Sequence, residues 1–146
     1  MKRHGFTLIE LLVVLVIIGA LVGLLLPAVI RTMERGRRAK SETQKEVLTT
    51  AIKGFVLEYG VLPVDPNLLN EGGSDLEWSS TNWEVFRNLI RGGEWNDRDI
   101  VFFDPSEFAT GSNGQLLDPW GGDYRVRLDT NGNGSPVGGA TVWASK

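Results

Sequence analysis

Leu-Ile-Glu-Leu-Leu-Val-Val-Leu-Val-Ile-Ile-Gly-Ala-Leu-Val-Gly-Leu-Leu-Leu, residues 8 to 26, is a run of nineteen residues with a single charge, at Glu10. A helix rises about 1.5 Å per residue and the hydrocarbon core of a bilayer is about 30 Å thick, so a segment of this length and composition spans a membrane. A removed secretory signal peptide is the competing reading, since Lys2 and Arg3 supply a basic start. Its apolar core would be about 7–15 residues and end at a small-x-small site, whereas this run is longer and ends in Leu-Leu-Leu-Pro.

With 146 residues in all, setting this segment aside leaves room for one modest domain. The formal charge of −3 is unevenly spread: residues 1–5 carry +2, residues 31–46 carry +3 and residues 47–146 carry −7. So acidic a head speaks against nucleic acid as a partner, because phosphates demand a basic face. Cysteine is absent and the only histidine is His4. Removal of a leader containing His4 would exclude imidazole acid–base catalysis, thiol nucleophiles and the usual zinc sites.

Lys2 and Arg3 favour a cytoplasmic N-terminus, but Arg31, Arg35, Arg37 and Arg38 crowd the far end of the segment and pull the other way. Glu10 carries the stronger argument. A carboxylate at mid-helix in a membrane costs about 2.5–3.5 kcal/mol on insertion scales, less near the end, so something should compensate it. Phe6 lies at i−4 from Glu10, the spacing at which helical residues meet. A cut between Gly5 and Phe6 would create an α-amino group with a reference pKa of about 8 at the membrane edge, able to pair with that carboxylate. The alternative is that Glu10 snorkels to the lipid headgroups.

The stretch Lys2-Arg-His-Gly-Phe-Thr-Leu-Ile-Glu-Leu-Leu-Val-Val-Leu-Val-Ile-Ile-Gly19 resembles the N-terminal processing and methylation motif of type IV prepilins and type II secretion pseudopilins, and the likeness extends to about Ala28. The resemblance implies that prepilin peptidase, a membrane aspartyl peptidase, cuts after Gly5 and N-methylates Phe6. It implies that Glu10 neutralises the terminal amine of a neighbouring subunit and sets the axial register of a homopolymer. It also implies that the helix bends or locally melts at Pro27 in the filament. Gly19 and Gly23, at i and i+4, offer a close-approach notch or reflect the ordinary tolerance of membrane helices for glycine.

Beyond the membrane segment, residues 31–40 are too polar to be buried, while Val47, Leu48, Ala51, Ile52, Phe55, Val56 and Tyr59 recur at helical spacing. Gly60 and Pro63 close the helix. One helix from Phe6 to Tyr59 would be about 80 Å long. Its arginines belong at an anionic lipid surface or against acidic neighbours, or form a plain solvated run. A second helix is predicted over residues 82–91, with Thr81 and Glu84 at capping-box spacing, and strands over 99–103, 123–128 and 140–144. The expected fold is α+β and pilin-like: a long N-terminal helix, half membrane and half amphipathic, packed against a small C-terminal antiparallel β-sheet. Its parts are a leader (1–5), a transmembrane half-helix (6–30), an amphipathic half-helix (31–59) and a globular head (60–146).

Leu117-Asp-Pro-Trp-Gly-Gly-Asp-Tyr124 resembles the Asp-Pro-Trp-Gly-x-x-Tyr stretch of major pseudopilins of the type II secretion system. Asp118-Pro119 with Gly121-Gly122 should form a turn that Trp120 locks against the head. Gly60-Val-Leu-Pro63 is a further family echo, and the lack of cysteine tilts away from type IVa pilins with a disulfide-closed loop. In Asp129-Thr-Asn-Gly-Asn-Gly134, the side-chain oxygens of Asp129, Asn131 and Asn133 fall at i, i+2 and i+4 with glycine sixth, the opening of an EF-hand-like loop. The bidentate acid of such a loop would fall on Ala140, so a metal would recruit Asp123, Asp118, a carbonyl or water. Major pseudopilins resembling this chain bind calcium in the corresponding loop; an Asn-Gly-rich hairpin needing no metal is the competing reading.

These readings predict a structural subunit, not an enzyme, held in the bacterial inner membrane by one pass with its N-terminus cytoplasmic and its head periplasmic. The resemblance implies prepilin peptidase, an inner-membrane assembly platform, minor pseudopilins, membrane lipid and further copies of the chain as partners in a type II secretion pseudopilus. A type IV pilin of a surface or DNA-uptake fibre is the alternative. A membrane-tethered hydrolytic domain using Asp97, Asp99 and Asp104 is the reading from a different class.

Overall fold

The computed structural model describes residues 6–69, 74–78, 82–132 and 140–145. Gly5, Thr81 and Asn133, each given a role above, lie outside the described residues. Helix α1 (Leu8–Tyr59) is the long helix expected from the periodicity, and it is shared by two compact units, Met1–Arg37 and Arg38–Lys146. Within the first, every side chain from Phe6 to Met33 is exposed, including all the large apolar ones. Such a surface is stable only in contact with lipid or with other apolar helices. Pro27 lies inside α1 without ending it.

Within the second unit, α1 buries Ser41, Gln44, Leu48, Ala51, Ile52 and Phe55, a three- and four-residue repeat that makes one face of the helix the floor of the core. The helix stops at Gly60, which takes φ 72° while its N–H donates to the Val56 carbonyl at 2.8 Å. That left-handed conformation is costly for any residue with a Cβ.

The sheet that covers the floor has three antiparallel strands in the order β1–β4–β5, with β1 at Leu76–Trp78, β4 at Arg125–Leu128 and β5 at Ala140–Trp143. Strand β4 alternates as its sequence predicts. Tyr124, Val126 and Leu128 are buried, while Arg125 and Arg127 face outwards beside Glu77 of β1 at 4.0 and 3.2 Å. A small second ribbon pairs β2 (Ala109–Thr110) with β3 (Leu116–Leu117). The strands β1, β2 and β3 are too short to show a period and were not anticipated.

Two expected elements are replaced by other structure, for the same physical reason. The predicted helix over 82–91 is only one turn, α2 (Trp83–Phe86), followed by a 3-10 turn at Arg87–Leu89. Asn82 does not cap it. Its side chain, wholly buried, donates to the carbonyls of Leu116 and Tyr124 at 3.2 and 2.6 Å and accepts from the Leu116 amide at 2.9 Å. The predicted strand over 99–103 is irregular chain, because Asp99 sits at φ 53° and the buried Asn96 side chain takes both backbone groups of Ile100, at 2.7 and 3.1 Å. Backbone groups bonded in this way have nothing left for a ladder.

The Asp118 turn forms as expected and is tied to the end of the sheet. One Asp118 oxygen accepts from the amides of Trp120 and Gly122, both at 2.9 Å; the other accepts from the Ser145 amide at 2.8 Å and from its hydroxyl. Burial pushes this carboxyl up, but the bonds from Ser145, Gly122 and Trp120 outweigh it and hold the group below the ordinary carboxylate range. Nearby, the Tyr124 phenol donates to Gln44 Oε1 at 2.9 Å, and burial pushes its pKa up to about 12, so it remains a donor across the physiological range.

Two outcomes follow for the detergent-solubilised chain, monitored by tryptophan fluorescence. Asn82→Ala removes the side-chain partner of the Leu116 amide and of the Tyr124 carbonyl, the Leu116 carbonyl keeping the Tyr124 amide, and should lower the unfolding free energy by about 2–6 kcal/mol, at about 1–3 kcal/mol for each of the two groups orphaned. Because the folded Asp118 carboxyl is depressed, its contribution is present above the unfolded-state value of about 3.9 and lost as pH falls through the folded value. Asp118→Asn should therefore melt lower than the parent at pH 7, with the gap closing below about pH 4; a gap independent of pH would contradict the assignment.

Candidate functional site

The N-terminal carboxylate is bonded within its own chain. Thr7 immediately precedes α1 and Glu10 stands three residues later. Glu10 Oε2 accepts from the Thr7 amide at 2.8 Å and from the Thr7 hydroxyl at 2.7 Å, while the Glu10 amide donates to Thr7 Oγ1 at 3.3 Å. This is a reciprocal capping box: each side chain satisfies a backbone donor that the first turn of a helix leaves open. Sequence reading paired Glu10 with the amine that cleavage would expose at Phe6, or with the headgroups, and missed this partner. The signal was present, since Thr-x-x-Glu before an apolar run is a helix-start signature.

The carboxylate sits at the positive end of α1, which favours an anion there. Two of its bonds replace part of the hydration lost near lipid. Glu10 shares a shallow groove with Phe6, Ile9, Val13 and Val14, although Phe6 itself precedes the first residue of α1. The result is a fixed, partly bonded anion on an apolar surface, next to the residue at which the expected cleavage would release an amine.

The calcium expectation meets a mixed donor set. Asp129 and Asn131 follow β4, and Asp123 forms an isolated bridge with Leu117. Between Asp129 and Asn131, Thr130 is buried and accepts from the Leu76 amide at 3.3 Å, which anchors the start of the loop to β1. The oxygens of Asp129, Asn131 and Asp123 are the hard donors calcium takes. Asp118, named as a further recruit, does not fit: both its oxygens are held by the turn and by Ser145. Among the described residues no three His, Cys, Asp or Glu side chains come together as a metal cluster.

Of the acids considered for hydrolysis, two hold backbone amides. Asp99 accepts from the Gly92 amide at 2.9 Å, Asp104 accepts from the Ser106 amide at 2.9 Å at the start of a 3-10 turn, and Asp97 is exposed.

The family model for the prokaryotic N-terminal methylation motif matches residues 1–26. The type IV major pilin protein PilA of Myxococcus xanthus is 39% identical over 57 residues, which is 39% of this chain but 26% of that protein. The type II secretion system core protein G of Vibrio cholerae is 30% identical over 124 residues, covering 85% of this chain and 70% of the relative. No solved structure matches the chain significantly. The methylation motif, the apolar N-terminal helix, the α+β head and the likeness along most of core protein G agree, and the chain belongs to the family of type IV pilin-like proteins that includes the type II secretion pseudopilins.

Proposed function

We propose that the chain is a structural subunit of a type II secretion pseudopilus, cut between Gly5 and Phe6 by prepilin peptidase, methylated at Phe6 and polymerised into a periplasmic fibre that helps drive protein export. The carrying observation is the reach of the likeness: core protein G is matched along 85% of this chain, head included, whereas PilA is matched over 57 residues. PilA, at the higher identity, supports the alternative of a type IV pilin for a surface or DNA-uptake fibre. Both readings are structural, and the relatives that carry them are fibre or secretion proteins, not enzymes.

The geometry supports a two-stage role for Glu10. In the single subunit, Thr7 and the helix N-terminus hold the carboxylate, which makes residence in the inner membrane tolerable. After cleavage, the α-amine of Phe6 on a neighbouring copy is a stronger partner, because in a low-dielectric setting an ion pair outweighs a bond to the same carboxylate from an uncharged donor. Helices in lipid gain nothing hydrophobic by associating, so a rare polar pair fixes their register. The assembly platform and minor pseudopilins would act on this helix and on the head. Calcium at Asp129, Asn131, Asn133 and Asp123 remains part of the proposal, supported by the loop spacing and its oxygen donors.

Mass spectrometry of protein from the host should find a chain beginning at N-methylated Phe6; a native chain beginning at Met1 would end the processing scheme. Glu10→Ala should remain membrane-resident and processed but enter fibres about tenfold less, the effect of losing about 1.4 kcal/mol at a contact. Normal fibres from that variant would remove the role given to Glu10. For the metal, EGTA should lower the melting temperature of the solubilised chain and added calcium should restore it, whereas an unchanged Tm in both arms would discard calcium.

A further inference from the structure

The head unit carries a cleft of about 300 Å³, at the small end of the roughly 300–1,000 Å³ typical of ligand pockets. Trp78 of β1 and Trp95 form aromatic walls, with Val64 and Leu68 beside them. Its charged groups are Asp65, Glu84, Glu94 and Arg87, a net charge of −2. Arg87 is already paired with Glu94 at 2.7 Å, and among the described residues Glu84, exposed on α2, has no ion-pair partner. At the base, Asn88 is buried with its amide committed to the carbonyls of Pro63 and Glu84, both at 3.0 Å, and its oxygen to the Trp95 amide at 3.3 Å, so the cleft is rigidly built.

Aromatic faces beside a spare carboxylate suit a cation on an apolar stem: the ring quadrupole attracts the charge, the walls cover the stem and the acid pairs with the head group. Arginine meets that description best, being planar, weakly hydrated and able to stack while it bonds a carboxylate. The same chain displays a basic segment of matching sign. Residues 31–40 carry a net charge of +4, and Arg31, Arg35 and Arg37 are exposed along α1.

We propose that the Trp78–Trp95 cleft of one subunit receives an arginine from the 31–37 segment of a second copy, forming a head-to-helix contact in the fibre. This contact rests on the polymerisation proposed above and adds to it a second, water-exposed lock, independent of the Glu10 pair. Tryptophan and arginine are the residues that concentrate binding energy at protein interfaces, and charge complementarity of this kind fixes which surfaces meet.

The test uses the full chain in assembling cells. The protein has no cysteine, so only introduced thiols can cross-link. Copies carrying Leu68→Cys at the cleft are co-expressed with copies carrying Thr32→Cys, Met33→Cys or Gly36→Cys, which leave every arginine and acid in place. A disulfide-linked dimer in sheared fibres is expected for at least one pairing. Independently, Glu84→Arg should reduce fibre yield about tenfold, or 1.4 kcal/mol per contact, and Arg35→Glu in the same chain should restore part of it. Fibres that form at normal yield, with no dimer from any pairing and no effect of Glu84→Arg, overturn the contact while leaving polymerisation intact. Failure of the unsubstituted chain to form any fibre overturns both.

Discussion

A carboxylate in a stretch of nineteen residues that is otherwise without charge needs compensating bonds, and Glu10 meets part of that demand through Thr7, which donates twice to one of its oxygens at the first turn of α1. The register proposed for the membrane helices depends on this local arrangement. The capping box fixes where the helix begins and keeps the acid at its positive end, close to Phe6. A free, unbonded acid would be drawn towards the headgroups. An acid already held at the helix start can instead exchange a neutral donor for a charged one without moving far.

The head solves a different problem. It has no cysteine, and among the described residues its strands are short and offer few ladder bonds, so polar side chains do much of the backbone's bonding. Asn82 joins α2 to β3 and β4, Asn88 joins α2 to the chain after α1, and Asn96 holds Ile100 while accepting from the Tyr59 hydroxyl at 2.6 Å. Gln44 bridges Tyr124 and the Glu107 carbonyl from the floor of the core. Around these bonds, Phe86, Phe103, Phe108 and Tyr124 form a chain of edge-to-face rings at 5.6 to 6.2 Å. Apolar burial supplies the driving force, and the amide side chains decide which irregular path the backbone takes.

That division explains what the sequence disclosed. Long periodic signals survived: the helix to Tyr59, the left-handed stop at Gly60, the alternation of Tyr124, Val126 and Leu128, and the strand before Ala144. The Asp118 turn was legible because its residue types admit few conformations. Residues 82–91 and 99–103 misled because Asn82 and Asn96 look like ordinary helix-start and loop residues until their distant partners are known. At the N-terminus the reading found Glu10 and its relation to Phe6 but overlooked Thr7, whose value lies in a hydrogen bond three residues away and not in hydrophobic pattern. The calcium proposal rests on a spacing in the sequence, and the ligands needed to complete such a site would come from elsewhere in the chain.

The fibre proposed here joins these features: an apolar helix with one bonded acid, and a small, rigid, acidic head. A density map of the assembled fibre, at a resolution that shows side chains, tests the central claim most directly. The account places the Glu10 carboxylate of one subunit within ion-pair distance, about 4 Å or less, of the methylated Phe6 nitrogen of another. Glu10 bonded only to its own Thr7 throughout the fibre, with every Phe6 nitrogen elsewhere, would contradict it.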